Sequence, residues 1–397
     1  MRRVYLGMVL PSVIFSTAYA QDAFALAIVG DPQLSWSCLS EGASLPNTYC
    51  ADPKNRSKSK EVQAEEFNKI FMDSILKLKE AGGDKFKGLV INGDLTEFGD
   101  QKGNFEKFKR LYKLNDRNYS DKLKFDIWPG LGNHDYQNNI NDCGLRATPV
   151  WNKCAAVMMQ FMGEWMIDAK SRGSIQNYDM PVFRKNPLQA QNQRNVTGSL
   201  SYSWQIGEFH FVQLQNYPTY TVNFKRGYSS GISSWTMRAV SANHKEKDSD
   251  VGWLEKDLRE AVKSGKRIIL NWHQFTAYDR RGDESTHCLR NDTNNGKVTF
   301  CQRDVDALKA MLQPFASNID AIFIGHHHRR MGKWAAHTLS LQQGRHAIEV
   351  PVYYSGSPVA GRYLKATFNN TNKKFCLHSV QAGNVQAQQE LVADCRK

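Results

Sequence analysis

The sequence predicts an α/β fold, and three observations carry the prediction. Short apolar runs with strand character alternate with stretches of helical periodicity. Residues capable of chemistry fall just after the apolar runs, where open α/β sheets place their ligand sites. The chain has 397 residues and 41% hydrophobic content, enough for a large core, and that length corresponds to roughly one to three domains.

In chain order, residues 23–30 (AFALAIVG) read as a buried strand ending at Asp31. Residues 61–81 set Phe67, Ile70, Phe71, Ile75 and Leu78 on one helical face and stop at Gly82 and Gly83. Residues 88–92 (GLVIN) form a second buried strand ending near Asp94, and residues 104–114 a helix. Residues 125–128 form a third strand that opens into a loop over 129–135. A helix over 251–264 stops at Gly265, and the strand 267–272 (RIILNW) ends at His273. A helix over 304–317 precedes the strand 319–324, which ends at Gly325 and His326. Residues 350–355 and 362–368 read as later strands.

Residues 137–244 interrupt this rhythm. They hold a Met- and Trp-rich helical stretch over 157–169 and two strand-like runs, 200–206 and 209–215. The interval reads as a large insertion over the site within a single domain, 21–397, because no Pro/Gly/Ser-rich linker marks a boundary. Met158, Met159, Phe161, Met162, Trp165 and Met166 read as core.

The first twenty residues read as a signal peptide. Arg2 and Arg3 precede a short apolar run, and Ala18-Tyr19-Ala20 offers a small-x-small cleavage site. The run is too short to span a bilayer, and Pro11 interrupts it. The expectation is therefore an exported protein, secreted or periplasmic, cleaved near Ala20. Eight cysteines beyond that point fit disulfides in an oxidising compartment. Their sequence-adjacent couples suggest Cys38–Cys50, Cys143–Cys154, Cys288–Cys301 and Cys376–Cys395, the last tying a C-terminal extension over 369–397. The net charge of +13 fits an anionic partner such as a phosphorylated solute. The basic residues are scattered and not interleaved with aromatics, so no specific nucleic-acid partner is expected.

Five fragments carry the chemistry: Gly30-Asp31-Pro32-Gln33, Gly93-Asp94, Gly132-Asn133-His134-Asp135, Trp272-His273 and Gly325-His326-His327-His328. Each follows an apolar run. Together they supply carboxylate and amide oxygens with several imidazoles, a mixed set suited to divalent Mn, Fe, Zn or Mg. The set is too rich for one ion, and a carboxylate such as Asp94 can bridge two ions roughly 3.5–4 Å apart. Glycine beside each ligand permits close backbone approach.

In order and spacing these fragments resemble the calcineurin-like metallophosphoesterases, whose pattern runs D-x-H, G-D, G-N-H-D/E, a lone H, and G-H-x-H. The resemblance covers residues 31–328 and extends to the turn Tyr353-Tyr354-Ser355-Gly356-Ser357-Pro358. It implies two packed mixed sheets flanked by helices, a four-layer αββα arrangement. It implies that Asp31 and His328 bind one metal ion, that Asn133, His273 and His326 bind the other, and that Asp94 bridges them. His134 would meet the substrate phosphoryl group as an acid or charge stabiliser, with Asp135 orienting its ring, and a hydroxide bridging the ions would attack phosphorus in line.

Gln33 departs from the pattern, standing where the family has His. Its neutral amide oxygen is a harder, weaker ligand that favours Mn or Mg at the first site. The resulting expectation is a metal-dependent hydrolase of a phosphodiester or phosphomonoester, with a lean to the diester. Two alternatives stand beside it. One is a lipid-headgroup phosphodiesterase with peripheral membrane contact, motivated by Trp235 and the aromatics from Tyr217 to Tyr220. The other is a catalytically weak exported binding or toxin protein on the same fold. Gly227-Tyr228-Ser229-Ser230-Gly231 matches a serine-hydrolase motif, but no buried strand leads into it, so it reads as a loop. His210, His244, His287, His337, His346 and His378 read as structural or surface histidines.

Overall fold

The computed structural model describes residues 23–393, apart from 39, 41–47, 115–118, 140–151, 181, 186–193, 227–234, 246–248, 275–301 and 329–330. The signal-peptide segment and the 227–231 motif lie outside the described residues.

Strands β1 (Ala23–Val29), β2 (Phe86–Ile91) and β3 (Asp126–Pro129) come first. Then come β4 (Asn177–Tyr178), β5 (Val182–Lys185), β6 (Arg194–Gly198), β7 (Tyr202–Ile206), β8 (Phe209–Gln213), β9 (Val222–Arg226) and β10 (Trp235–Ala239). The last group is β11 (Arg267–Trp272), β12 (Ile319–Ile324), β13 (Met331–Gln343), β14 (His346–Ser357), β15 (Arg362–Asn369), β16 (Lys374–Gln381) and β17 (Asn384–Val392). The helices are α1 (Thr48–Ala51), α2 (Pro53–Arg56), α3 (Lys60–Gly82), α4 (Asn104–Leu111), α5 (Tyr119–Leu123), α6 (Lys153–Ser171), α7 (Trp253–Lys263) and α8 (Gln302–Leu312).

One large mixed sheet runs β3-β2-β1-β15-β14-β12-β11-β8-β7-β4, with β13 on β14 and the hairpin β16–β17 continuing from β15. A small separate sheet runs β5-β6-β10-β9. The large sheet curls so that its two halves face each other, joined where Gly356 and Ser357 of β14 pair with Tyr363 and Arg362 of β15. Phe24 of β1 meets Phe209 and Phe211 of β8 at ring separations of 6.1 and 6.3 Å. Phe368 of β15 lies 4.9 Å from Phe209 and 5.2 Å from Phe211. The two packed sheets expected from the sequence are thus two halves of one curled sheet, with α3 packed on β2 and α7 on β11.

Helix α3 shows why the outer layers form where they do. Ser59 caps it, its hydroxyl accepting from the Val62 amide at 3.3 Å, and Gly83 ends it with φ of 54°. Its apolar spacing buries Phe67, Phe71, Ile75 and Leu78 along one face.

The 137–244 interval divides in the structure. Strands β7 and β8 join the large sheet, with β8 parallel to β11, while β5, β6, β9 and β10 form the small sheet. Helix α6 buries Met158, Met159, Met162, Trp165 and Met166, as their spacing predicts. Tyr217 and Tyr220 do not form an exposed rim: they are 2% and 4% exposed, and Tyr220 packs edge-on against Tyr136 at 5.3 Å. That corrects the aromatic motive for a lipid-directed reading; the Trp235 side chain lies outside the described residues.

Cys38 and Cys50 form a disulfide, as their spacing suggested. Cys154 and Cys376 are also disulfide-bonded, and the other four cysteines lie outside the described residues. Residues 369–393 hold a hairpin that the sequence reading did not place. Strand β17 is an exposed, largely polar edge strand, so it lacks the alternation that betrays a half-buried strand. Among the described residues no helix is long and apolar enough to cross a membrane.

Strands β1, β2 and β3 run parallel, as do β8, β11, β12 and β14. Antiparallel β15 sits between β1 and β14, so both sets point the same way. Their C-terminal ends gather at one edge of the curled sheet.

Candidate metal centre

Each expected ligand lies at that edge. Asp31 follows β1, Asp94 follows β2, Asn133 follows β3, His273 follows β11 directly, and His326 and His328 follow β12. Hydrogen bonds continue past the strand ends and tie these loops together. The Asp31 amide donates to Gly93 O at 3.0 Å, that of Gln33 to Asp94 O at 2.8 Å, and that of Gly325 to His273 O at 3.0 Å. Ligand carboxylates also hold neighbouring loops: Asp94 Oδ1 accepts from the His134 amide at 2.8 Å and Asp31 Oδ1 from the His326 amide at 3.0 Å.

Four of the expected ligands sit in unusual backbone conformations. Asp31 and Asp94 both have φ of 54°, Gln33 has 41° and His326 has 69°. A non-glycine residue in the left-handed region costs about 1–3 kcal/mol and persists only where its surroundings over-determine it, as at functional sites. Close packing adds a second constraint. A Cβ on Gly132 would lie 2.2 Å from Asp94 Oδ1, and one on Gly325 would lie 2.4 Å from Asn92 O. Only glycine lets these loops approach so closely.

One cluster is fully formed. Ligand atoms of Asp94, His273 and His326 all lie within 4.8 Å of one another. His273 Nε2 is 3.1 Å from Asp94 Oδ2 and 2.8 Å from Asn133 Oδ1, and Asn133 Oδ1 is 3.1 Å from His326 Nδ1. The other His273 nitrogen, Nδ1, lies 2.7 Å from Asn92 O and must be the donor there, since a carbonyl only accepts. A neutral His273 therefore turns its Nε2 lone pair onto two oxygen acceptors, and the arrangement calls for a cation or an extra proton. The titration balance says the same. Burial acts to lower His273, but Asp94 and then Asp31 outweigh it and push the imidazole up to about 9. Burial acts to raise Asp94, but His273, His134 and His326 outweigh it and hold the carboxyl below the usual range. A divalent ion among these O and N donors satisfies both residues at once.

A second group lies beside it. His328 Nε2 is 3.4 Å from Asp31 Oδ1. Asp31 Oδ2 and both amide atoms of Gln33 are buried without a hydrogen-bond partner. Gln33 is 1% exposed and Asp31 fully enclosed. Buried polar atoms in this state normally have partners, so the group also fits a cation.

His134 stands beside the first cluster, and its ring is oriented otherwise than expected. Its Nδ1 lies 2.8 Å from the Glu97 backbone carbonyl and so donates to it, leaving Nε2 for other partners. Asp135 does not reach that ring. Its carboxylate accepts from the Leu95 amide at 3.0 Å, the Thr96 amide at 3.1 Å and the Gly132 amide at 2.8 Å. Asp135 is thus a brace between two ligand loops, and the expected role of orienting His134 passes to Glu97. Burial and the nearby Asp94 carboxylate push Asp135 up to about 8, against the pull of those three amides.

Two aromatic neighbours of the site escaped the sequence reading. Trp36 meets His134 edge-to-face at 5.6 Å and His328 at 5.3 Å. Phe98, 39% exposed, lies 6.2 Å from His134. Their only sequence signal is position, shortly after Asp31 and Asp94. Away from the site, Ser203 and His210 both bond the Asp257 carboxylate, each at 2.8 Å, which pins the β7–β8 hairpin to α7. The carboxylate separates the hydroxyl from the imidazole, so His210 is structural, as read.

Fold and site together define an α/β protein with a buried oxygen–nitrogen cation site at the C-terminal ends of parallel strands. The chain belongs to the calcineurin-like phosphoesterase family, which it matches over residues 24–330. That family uses divalent metal ions. Among solved structures, it is similar to a putative 5'-nucleotidase from Staphylococcus aureus, with 13% identity, a TM-score of 0.39, and coverage of 94% of this chain and 55% of that one. The chain thus spans about 55% of that protein's length. It is also similar to the calcineurin-like phosphoesterase YfkN from Bacillus subtilis, with 13% identity, a TM-score of 0.33, and coverage of 94% and 89%. A third similarity is to PhoD, with 10% identity, a TM-score of 0.41, and coverage of 94% and 72%. No curated protein matches the chain in sequence.

Proposed function

We propose that the chain is an exported hydrolase of phosphate monoesters or diesters that works with two divalent ions. Asp94, Asn133, His273 and His326 would hold one ion, and Asp31, Gln33 and His328 would hold the other beside Asp94. The observation that carries the reading is the meeting of His273 Nε2 with Asp94 Oδ2 and Asn133 Oδ1, at 3.1 and 2.8 Å, among three buried side chains. When bound, such ions neutralise phosphoryl charge and activate water at neutral pH.

The remaining roles belong to the chain. His134, in its imidazolium form with Nδ1–H on the Glu97 carbonyl, presents Nε2–H to the ester and gives that proton to the departing oxygen. Asp135 keeps the Asp94 and Asn133 loops in register. Trp36 packs against His134 and His328 and shields that side from water. Export is supported by the N-terminal signal pattern and the Cys38–Cys50 disulfide. A lipid headgroup gains nothing from Tyr217 and Tyr220, which are buried. The full donor set argues against a purely binding role.

The test is to strip the mature chain with chelator, restore Mn, Zn, Fe or Mg singly, and assay an aryl phosphomonoester and an aryl phosphodiester. Restored turnover that Asp94→Asn and His134→Ala each abolish supports the reading, and the preferred ester sets the class. Two bound ions with no turnover on either ester would sink it.

A further inference from the structure

Two aromatic side chains from different loops border His134. Trp36 belongs to the turn after Asp31, where its amide bonds Gln33 O at 2.8 Å, and its ring touches both His134 and His328. Phe98 belongs to the loop after Asp94, follows the residue whose carbonyl fixes His134, and exposes 39% of its surface. The other large hydrophobics exposed among the described residues, Val62, Leu76 and Ile167, lie on α3 and α6. With Nδ1 tied to Glu97, Nε2 is the His134 nitrogen left to serve a leaving oxygen, and the imidazole that carries it is flanked by Trp36 at 5.6 Å and Phe98 at 6.2 Å.

From this geometry we infer that Trp36 and Phe98 form an aromatic rim that selects phosphoesters with a planar aromatic leaving group. The inference rests on the hydrolase reading and deepens it to a substrate class. An aromatic rim could equally receive a quaternary ammonium group through its ring faces. Charge opposes that occupant here. The carboxylate beside the rim, Glu97, is 8% exposed and burial pushes it toward the neutral form, and the charged neighbours that act on it are Lys60, His134 and Lys102 against the single carboxylate of Glu61. An uncharged flat ring meets no such repulsion and gains from stacking or edge contacts. Such contacts, as where bases stack on aromatic side chains, contribute about tenfold in affinity per ring.

The experiment compares metal-loaded wild type, Trp36→Ala and Phe98→Ala on a benzyl and a methyl ester of the same phosphate type. The quantity read is the ratio of kcat/KM for benzyl over methyl, in which leaving-group basicity cancels between variants. Each substitution should lower that ratio about tenfold, and Trp36→Phe should restore most of it. A role confined to positioning His134 would lower both esters together; an unchanged ratio therefore overturns the inference. So does a wild-type preference for a choline ester over the benzyl ester. Calorimetric affinity for benzylphosphonate against methylphosphonate needs no turnover. It reads the rim even if the hydrolase reading fails, and equal affinities in wild type and both variants would again overturn the inference.

Discussion

The Nδ1 of His134 lies 2.8 Å from the backbone carbonyl of Glu97. A carbonyl accepts only, so this contact sets the tautomer and leaves Nε2 as the nitrogen able to exchange a proton with an ester. No side chain is needed to orient the ring, which explains why Asp135 is free to brace the backbone instead.

His134→Ala should therefore lower kcat about 10²–10⁴-fold, the usual scale for a lost general acid. Metal content measured by atomic absorption should stay at the wild-type level, because the ring is not among the clustered ligand atoms. Loss of an ion in this variant would make His134 a ligand and refute the assignment.

Gly132→Ala should damage the centre without touching a ligand side chain. The new Cβ would lie 2.2 Å from Asp94 Oδ1 and 2.5 Å from the Asp94 amide. Overpacking of this kind costs about 1–3 kcal/mol. Urea unfolding should register the loss, and the metal dissociation constant should rise at least about tenfold, since 1.4 kcal/mol already corresponds to that factor.

Gln33→Leu separates the two sites. Both Gln33 amide atoms are buried without partners, a cost of about 1–3 kcal/mol in metal-free protein. The leucine variant should be more stable than wild type when stripped of metal, and on the two-ion proposal should bind one ion fewer than wild type. Calorimetric stoichiometry checks this; two ions in the variant would remove Gln33 from the ligand set.

Glu66 provides a pH-dependent clip on the disulfide-bearing segment. Hydrogen bonds from Lys58 and then Tyr49 hold its carboxyl below the ordinary glutamate range. A depressed carboxyl stabilises the fold above its unfolded pKa and loses that contribution as pH falls through the folded value. The pair is about one-third exposed, so the effect is on the order of 0.2–1 kcal/mol. Glu66→Gln should be destabilised by that amount at pH 7 and match wild type near pH 2–3, read as the difference in urea midpoints; a constant difference across that range would contradict it.

The sequence by itself determined the strand ends and the candidate site residues that follow them. Apolar runs stopping at Asp31, Asp94, His273 and His326 are a local signal, because a buried parallel strand needs continuous hydrophobicity and its C-terminal end must meet solvent or ligand. The Met-rich face of α6 and the Cys38–Cys50 bridge were legible for the same local reasons. Tertiary structure alone decided the rest. Which loop orients His134 depends on a backbone carbonyl, and every residue carries one, so no residue type could announce Glu97. The exposure of Phe98 and the burial of Tyr217 and Tyr220 follow from what packs over them, and identical aromatic side chains carry no mark of it. Strands β7 and β8 looked like part of an insertion because their place beside β11 arises from pairing across a long stretch of chain, and strand order is a property of that pairing rather than of the paired segments.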